Sequence, residues 1–471
     1  MRIFTRFLCP LLLLAASVVS ASCACTAPLP SSVREVLKVR QINEKDISLS
    51  IIPLDGKGIN LQHRAEQPRI PASVEKVVTA AMALDIHGPA KVWTTQVLSE
   101  NKPEDGTLDG DLFIVGGGDP SMTAERFWLL IEDLRAHGIR KINGDLILDR
   151  SYFDIPEHDS FSFDGDGNRP YNLGADALLL NYRSFAIRIV PDEAAGVARL
   201  YPTPRIANIK LPESIPLSDE KCGSWRRKLA PDYSDPTAPV FRGQFPAQCG
   251  PKYFIYTTLE ADRYFELVFR SLWENAGGTW KGKAVSGKTA ENASLLTEAE
   301  SQPLSLLLWN MNKFSNNLIA RHLFLSVGDS EEGDAKTLER SRRKTSEWAH
   351  QIGIAPNELY VDNGSGLSRG SRLSARASTL VLKHMWNSPY RFEYVASLPV
   401  SGLDGTMKKR KAAVGQAHIK TGYLEGVRSI AGYVRSESGS YYAVSAIINS
   451  PNAGDSLPVM DAIIAWICKQ G

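Results

Sequence analysis

At 471 residues, 43% of them hydrophobic and 23% charged, the chain is long enough for two or three domains and too apolar to be disordered. Its net charge of +2 leaves no electrostatic case for nucleic acid as the main partner. No CxxC or His/Cys spacing points to a zinc site, and no cofactor is expected.

Residues 1–22 have the three parts of a secretory signal. Arg2 and Arg6 form a basic start, an apolar run follows, and Ser20, Ala21 and Ser22 are small residues suited to cleavage. The run is short of the roughly 20 residues that span a bilayer. The protein is therefore expected to be exported to the periplasm, with at most peripheral membrane contact; an uncleaved N-terminal anchor is the alternative. Cys23 invites a lipoprotein reading, but Ser20 stands where such signals carry leucine.

An apolar run from Ile47, the turn residues Asp55-Gly56-Lys57-Gly58 and a second extended segment predict two strands over 47–65. After Pro68 and Pro71, apolar residues at three-to-four spacing from Val74 to Leu84 predict an amphipathic helix that Gly88-Pro89 stops. Residues 30–95 are assigned to the first part of a catalytic domain and 96–290 to inserted β-rich subdomains, with one helical stretch near 123–137 and a loop-like stretch at 213–252. Within the insertion, Cys222 and Cys249 are disulfide candidates in an oxidising compartment, or else two unpaired thiols. Residues 291–471 complete the catalytic domain. They comprise helices around Ser315-Asn316-Asn317, an antiparallel meander from Ala417, and an apolar terminal helix that buries Cys468.

Three short patterns carry chemistry. In Ser73-Val74-Glu75-Lys76 (SxxK), positions i and i+3 share a helix face, so a hydroxyl stands beside an amine. A serine hydroxyl is a poor nucleophile until a base takes its proton, and a buried lysine near another cation is such a base. The helix start after Pro71 also supplies free N–H donors for a developing oxyanion. Ser315-Asn316-Asn317 (SxN) offers Ser315 to pass a proton to the leaving amine and Asn317 to hold the substrate amide and orient the lysines. Lys420-Thr421-Gly422 (KTG) offers Lys420 and Thr421 to a substrate carboxylate and Gly422 as an unobstructed approach. The N–H of Tyr423 would be the second oxyanion donor.

SxxK also occurs at Ser99 and Ser341, and SxN at Ser99 and Ser450, so each pattern alone is weak. Their order and contexts lift the set: a helix after proline, a break between helices, the first strand of a meander. No GxSxG elbow supports Ser–His–Asp chemistry. GGGDPS at 116–121 lacks a phosphate-loop lysine and reads as a turn. Asp362 and Ser365 are read either as cleft-lining groups or as turn residues, and His418 as structural.

The motif set resembles that of penicillin-binding proteins and β-lactamases. With GGGDPS, GDLILDRSYF at 144–153, DNGSGLSR at 362–369, SLPVSGLDGTM at 397–407 and the insertion of about 240 residues between SxxK and SxN, the chain most resembles the class C, low-molecular-weight penicillin-binding proteins of peptidase family S13. The resemblance implies an α/β (α+β) transpeptidase-like catalytic domain interrupted by β-rich subdomains. It also implies D-alanyl-D-alanine carboxypeptidase/endopeptidase activity on peptidoglycan stem peptides, and inhibition by β-lactam antibiotics. Tyr423 departs from the small or hydroxyl residue commoner after KTG, which bears on substrate preference. A β-lactamase is the alternative, although no ExxLN-type loop lies between the first two motifs; a non-catalytic wall-binding or β-lactam-sensing protein is the other.

Overall fold

The computed structural model describes residues 27–206, 208–329 and 336–470, so the expected signal and Cys9, Cys23 and Cys25 lie outside it. Ile47–Pro53 pairs antiparallel with Leu61–His63 on one side and with Tyr441–Asn449 on the other. Both ends of the described chain thus share one five-stranded sheet. Val427–Arg435 comes next, and Ala417–Leu424 forms the edge. Residues 442–448 are buried without alternation, so this strand needs cover on both faces. Helices Ser31–Val39 and Leu457–Gln470 cover one face, where Val33, Leu37, Ile463 and Ile467 pack on Ile47 and Ile448. Lys76–His87 and Ala375–Asn387 cover the other, where Val77, Ala81 and Val381 meet Ala431 and Ala443.

Helix Lys76–His87 differs from the amphipathic expectation. Every residue from Lys76 to Leu84 is buried, because helices Leu304–Phe314 and Asn317–Asp329 close the side that the sheet leaves open. A helix apolar all round is a core helix. This one begins with a 3-10 turn, Ala72–Glu75, and ends at Gly88, whose φ of 73° suits a residue without a Cβ.

Thr94–Ser99 and Ser294–Glu300 pair antiparallel, so the long excursion between them closes on itself about ten residues beyond the expected end. They belong to a second five-stranded sheet, on which helices Ala124–Ala136 and Ala261–Asn275 pack through Phe127, Leu130, Phe265 and Phe269. The second helix escaped the sequence reading because Tyr264, Phe265, Phe269 and Trp273 are residues that favour strands. A third sheet lies within the same excursion and includes Phe185–Asp192, Val197–Thr203, Ser214–Ser218 and Lys252–Tyr256. Part of the stretch read as loop is thus strand. A disulfide joins Cys222 to Cys249 there, with Cα atoms 4.8 Å apart. Cys468 is a buried free thiol. No helix among the described residues is long and apolar enough to cross a membrane.

Candidate active site

Ser73 sits in the 3-10 turn that enters the buried helix. The residue before it, Ala72, has a φ of 49°. A non-glycine residue in that region costs about 1–2 kcal/mol, and the turn is held from two sides. Ser429 Oγ donates to Pro71 O at 2.5 Å, and the residue 362–371 loop presses in at Gly366, where a Cβ would stand 1.9 Å from Ala72 O. In the first turn, the Ser73 N–H has no helical acceptor.

Lys76 is fully buried. Its Nζ lies 3.1 Å from Ser73 Oγ, 2.7 Å from Asn317 Oδ1, and within hydrogen-bonding distance of Ser365 O. As an ammonium it donates to all three. As a neutral amine it keeps two N–H bonds, to Asn317 and Ser365, and turns its lone pair to the Ser73 hydroxyl. Burial holds Lys76 well below the usual lysine range; the charges of Lys420 and Arg321 push the same way, and Glu75 opposes them.

Lys420, on the edge strand, is also fully buried. Its Nζ donates to Ser315 Oγ at 3.0 Å and to Thr421 O at 2.7 Å. Burial lowers it to about 7. Ser315 reaches it because it ends helix Leu304–Phe314 in the left-handed conformation, φ 58°. Asn317 opens the next helix and binds Lys76 through Oδ1, while its Nδ2 donates to Tyr171 O at 3.0 Å. Ser73, Lys76, Ser315, Asn317 and Lys420 are therefore brought together as two serine–lysine pairs, with Asn317 on Lys76.

Thr421 Oγ1 donates to Thr406 Oγ1 at 2.8 Å. Ile419 N–H donates outward to Pro399 O, so by two-residue alternation the N–H groups of Thr421 and Tyr423 also face the outer edge. The Tyr423 ring is 58% exposed, with the Arg428 guanidinium 4.2 Å from its centroid. Gly422 also has a packing role. The space for its missing side chain is filled by Ser429 Oγ at 2.2 Å, Pro71 O at 2.9 Å and Ala72 Cβ at 3.1 Å. Glycine there lets the edge strand close onto the turn that carries Ser73.

Several site residues were not singled out from sequence. Phe163, in the long excursion, packs with Ala72 and Leu424, and Tyr171 contributes the carbonyl bound by Asn317. Nothing in the sequence near either residue signals this, because both arrive by tertiary packing. Arg321 is one helical turn after Asn317, an i, i+4 spacing that could have found it. Its Nη1 donates to the carbonyls of Asn172 and Leu173 and contacts His158, tying the excursion to helix Asn317–Asp329. Ser365 enters through its carbonyl, while Asp362 braces the loop by accepting from Arg342 and Ser368. His418 forms an isolated β-bridge to Val400, and burial with the nearby charge of Lys313 lowers its pKa.

Two lysine–serine pairs converging where a buried helix abuts a sheet edge is the arrangement of the serine acyl-transfer fold shared by penicillin-binding proteins and β-lactamases. The chain belongs to the D-Ala-D-Ala carboxypeptidase 3 (S13) family, which its residues 29–470 match. It is 28% identical over 418 residues to a D-alanyl-D-alanine carboxypeptidase of Actinomadura sp. (strain R39), covering 85% of this chain and 77% of that protein. The structure superposes on penicillin binding protein 4 (dacB) of Haemophilus influenzae with a TM-score of 0.75 at 22% identity, covering 93% of this chain and 99% of that one. For the same protein complexed with a β-lactam, the TM-score is 0.69 at 23% identity, covering 89% and 93%. The protein is a serine-type D,D-peptidase with a transpeptidase-like catalytic fold.

Proposed function

We propose that Ser73 carries the acyl group when this peptidase cleaves D-alanyl-D-alanine and D-amino-acid crosslinks in peptidoglycan stem peptides. The supporting observation is the Lys76 amine, whose two fixed acceptors leave its lone pair aimed at Ser73. Ser73 Oγ attacks the penultimate D-alanine carbonyl as Lys76 takes its proton. The N–H groups of Ser73 and Tyr423 receive the oxyanion. Protonated Lys420 and the Thr421 hydroxyl bind the terminal carboxylate, and Ser315 passes a proton to the departing amine. Water then hydrolyses the ester. β-Lactams mimic the substrate and acylate Ser73 durably, as the Haemophilus complex with a β-lactam supports. The chemistry belongs in the periplasm, to which the residue 1–22 segment would direct the chain.

Intact-mass spectrometry of the protein with penicillin, beside a Ser73→Ala variant, tests this. The expected result is a long-lived one-to-one adduct on Ser73 that is lost in the variant, together with D-alanine release from a pentapeptide. A rapidly lost adduct with penicillin hydrolysed would indicate a β-lactamase. Absence of any adduct would reject Ser73 as the nucleophile.

A further inference from the structure

Glu75, inside the SxxK motif, has no part in the chemistry above, yet its carboxyl is almost completely buried. Its Oε1 accepts the N–H of Gly366 at 3.1 Å. The carbonyl of the same peptide unit, Ser365 O, accepts from Lys76 Nζ. One rigid amide, residues 365–366, therefore has a carboxyl on its N–H and the catalytic amine on its C=O. A peptide group held this way is polarised: a negative charge at the N–H end makes the carbonyl a stronger acceptor for an ammonium. The amide cannot easily turn away, because Gly366 is packed directly on Ala72. Glu75 Oε2 is buried and accepts no hydrogen bond among the described residues, so a charge on this carboxyl is poorly solvated and responds to its neighbours.

We propose that Glu75 is a positioning residue that acts on Lys76 through the Ser365–Gly366 peptide unit, holding the amine on Ser73 and setting the pH at which it becomes a free base. The proposal rests on the reading of Lys76 as the base for Ser73. The groups facing the pair are Lys76, the Ser371 hydroxyl, the Gly366 N–H and Asp362 around Glu75, and Glu75, Lys420 and Arg321 around Lys76. Burial raises Glu75 to about 7, and the nearby Ser371 hydroxyl and the Gly366 N–H oppose that rise. The two groups titrate as a pair. An ionised Glu75 keeps the proton on Lys76; a neutral residue there lets it go at lower pH.

The test is the pH profile of the penicillin acylation rate for the wild type, Glu75→Gln, Glu75→Ala and Ser371→Ala, each checked for folding by thermal unfolding. Glu75→Gln keeps an acceptor for Gly366 and loses the charge. Its acid limb moves down by about one pH unit, equivalent to about tenfold faster acylation on that limb. Ser371→Ala removes a nearby hydroxyl that favours the carboxylate and moves the limb the same way by less. Glu75→Ala also loses the hold on the peptide unit, so its rate falls at every pH. A Glu75→Gln limb that coincides with the wild type's, or moves up, overturns the proposal; should that variant not fold, an unmoved Ser371→Ala limb does so. Failure of the wild type itself to acylate on Ser73 is a separate result that removes the reading of the site.

Discussion

Lys420 is a buried lysine whose bonds run to a hydroxyl and a carbonyl, with no carboxylate partner among the described residues. Desolvation therefore dominates, and the substrate carboxylate proposed to bind here would stabilise the charge. The consequence for stability has a definite sign. Unfolded Lys420 regains its ordinary value of 10.5, while folded it sits near 7. Between those values the unfolded chain holds more protons, so folding stability rises with pH across the window, and the penalty is complete below about pH 7. At about 1.4 kcal/mol per pH unit, the effect amounts to several kcal/mol. Lys420→Met is expected to raise the unfolding temperature most at about pH 6 and least at about pH 10, while losing binding of carboxylate-bearing substrates. A stabilisation that does not change with pH would show that burial of the charge is not its source. The residue types needed here were readable from SxxK, SxN and KTG. Glu75 and Arg321 were also in plain view, but nothing local marks a charged residue as buried.

At the scale of elements, the site is a junction of a helix start, a sheet edge and the 362–371 loop, and two glycines set how closely they meet. Gly422 admits the 71–72 turn to the edge strand, and Gly366 admits it to the loop. A side chain at either position strikes backbone or a neighbouring buried atom and cannot be turned aside. Gly366→Ala is expected to reduce penicillin acylation at least about 100-fold, because a displacement near 1 Å at a reacting group has that effect. Gly415→Ala is the control. Gly415 shares the positive φ, 71° against 74° for Gly366, but a Cβ there meets nothing within 4 Å. It should lose stability to strain and keep the acylation rate. Equal activity losses in the two variants would mean that backbone strain, not the clash, is responsible. The meander was legible from apolar runs separated by turn residues, and the terminal helix from its apolar pattern. The helix carrying Lys76 was legible as a helix but not as a core element, since its polar positions are buried by helices far along the chain.

Over the whole molecule, two hydrophobic cores flank the catalytic sheet, and a separate large one fills the excursion. The excursion is tied to helix Asn317–Asp329 by Asn317 and Arg321 bonds to residues 171–173. The Cys222–Cys249 bond closes a loop with a sequence separation of 27 inside the third sheet. Chain entropy assigns such a loop roughly 3 kcal/mol. Replacing both cysteines with serine is expected to lower the unfolding temperature of the excursion, followed by calorimetry, and to leave Ser73 acylation by penicillin intact. Loss of acylation in a folded protein would place the disulfide in the catalytic machinery.

Sequence alone determined the chemistry available to this protein. A hydroxyl and an amine three residues apart at a helix start, and a lysine in an apolar strand, are local facts of sequence that survive any arrangement of the rest. Strand-like apolar runs near both ends, with helices between them, also suggest one sheet built from both ends of the chain, and the pairing of Ile47–Pro53 with Tyr441–Asn449 is that sheet. Only the tertiary structure decided which charges are desolvated, which carbonyl receives the catalytic amine, and that residues from the excursion form part of the site wall. Those depend on contacts between segments up to hundreds of residues apart, and on burial that no single segment can supply for itself.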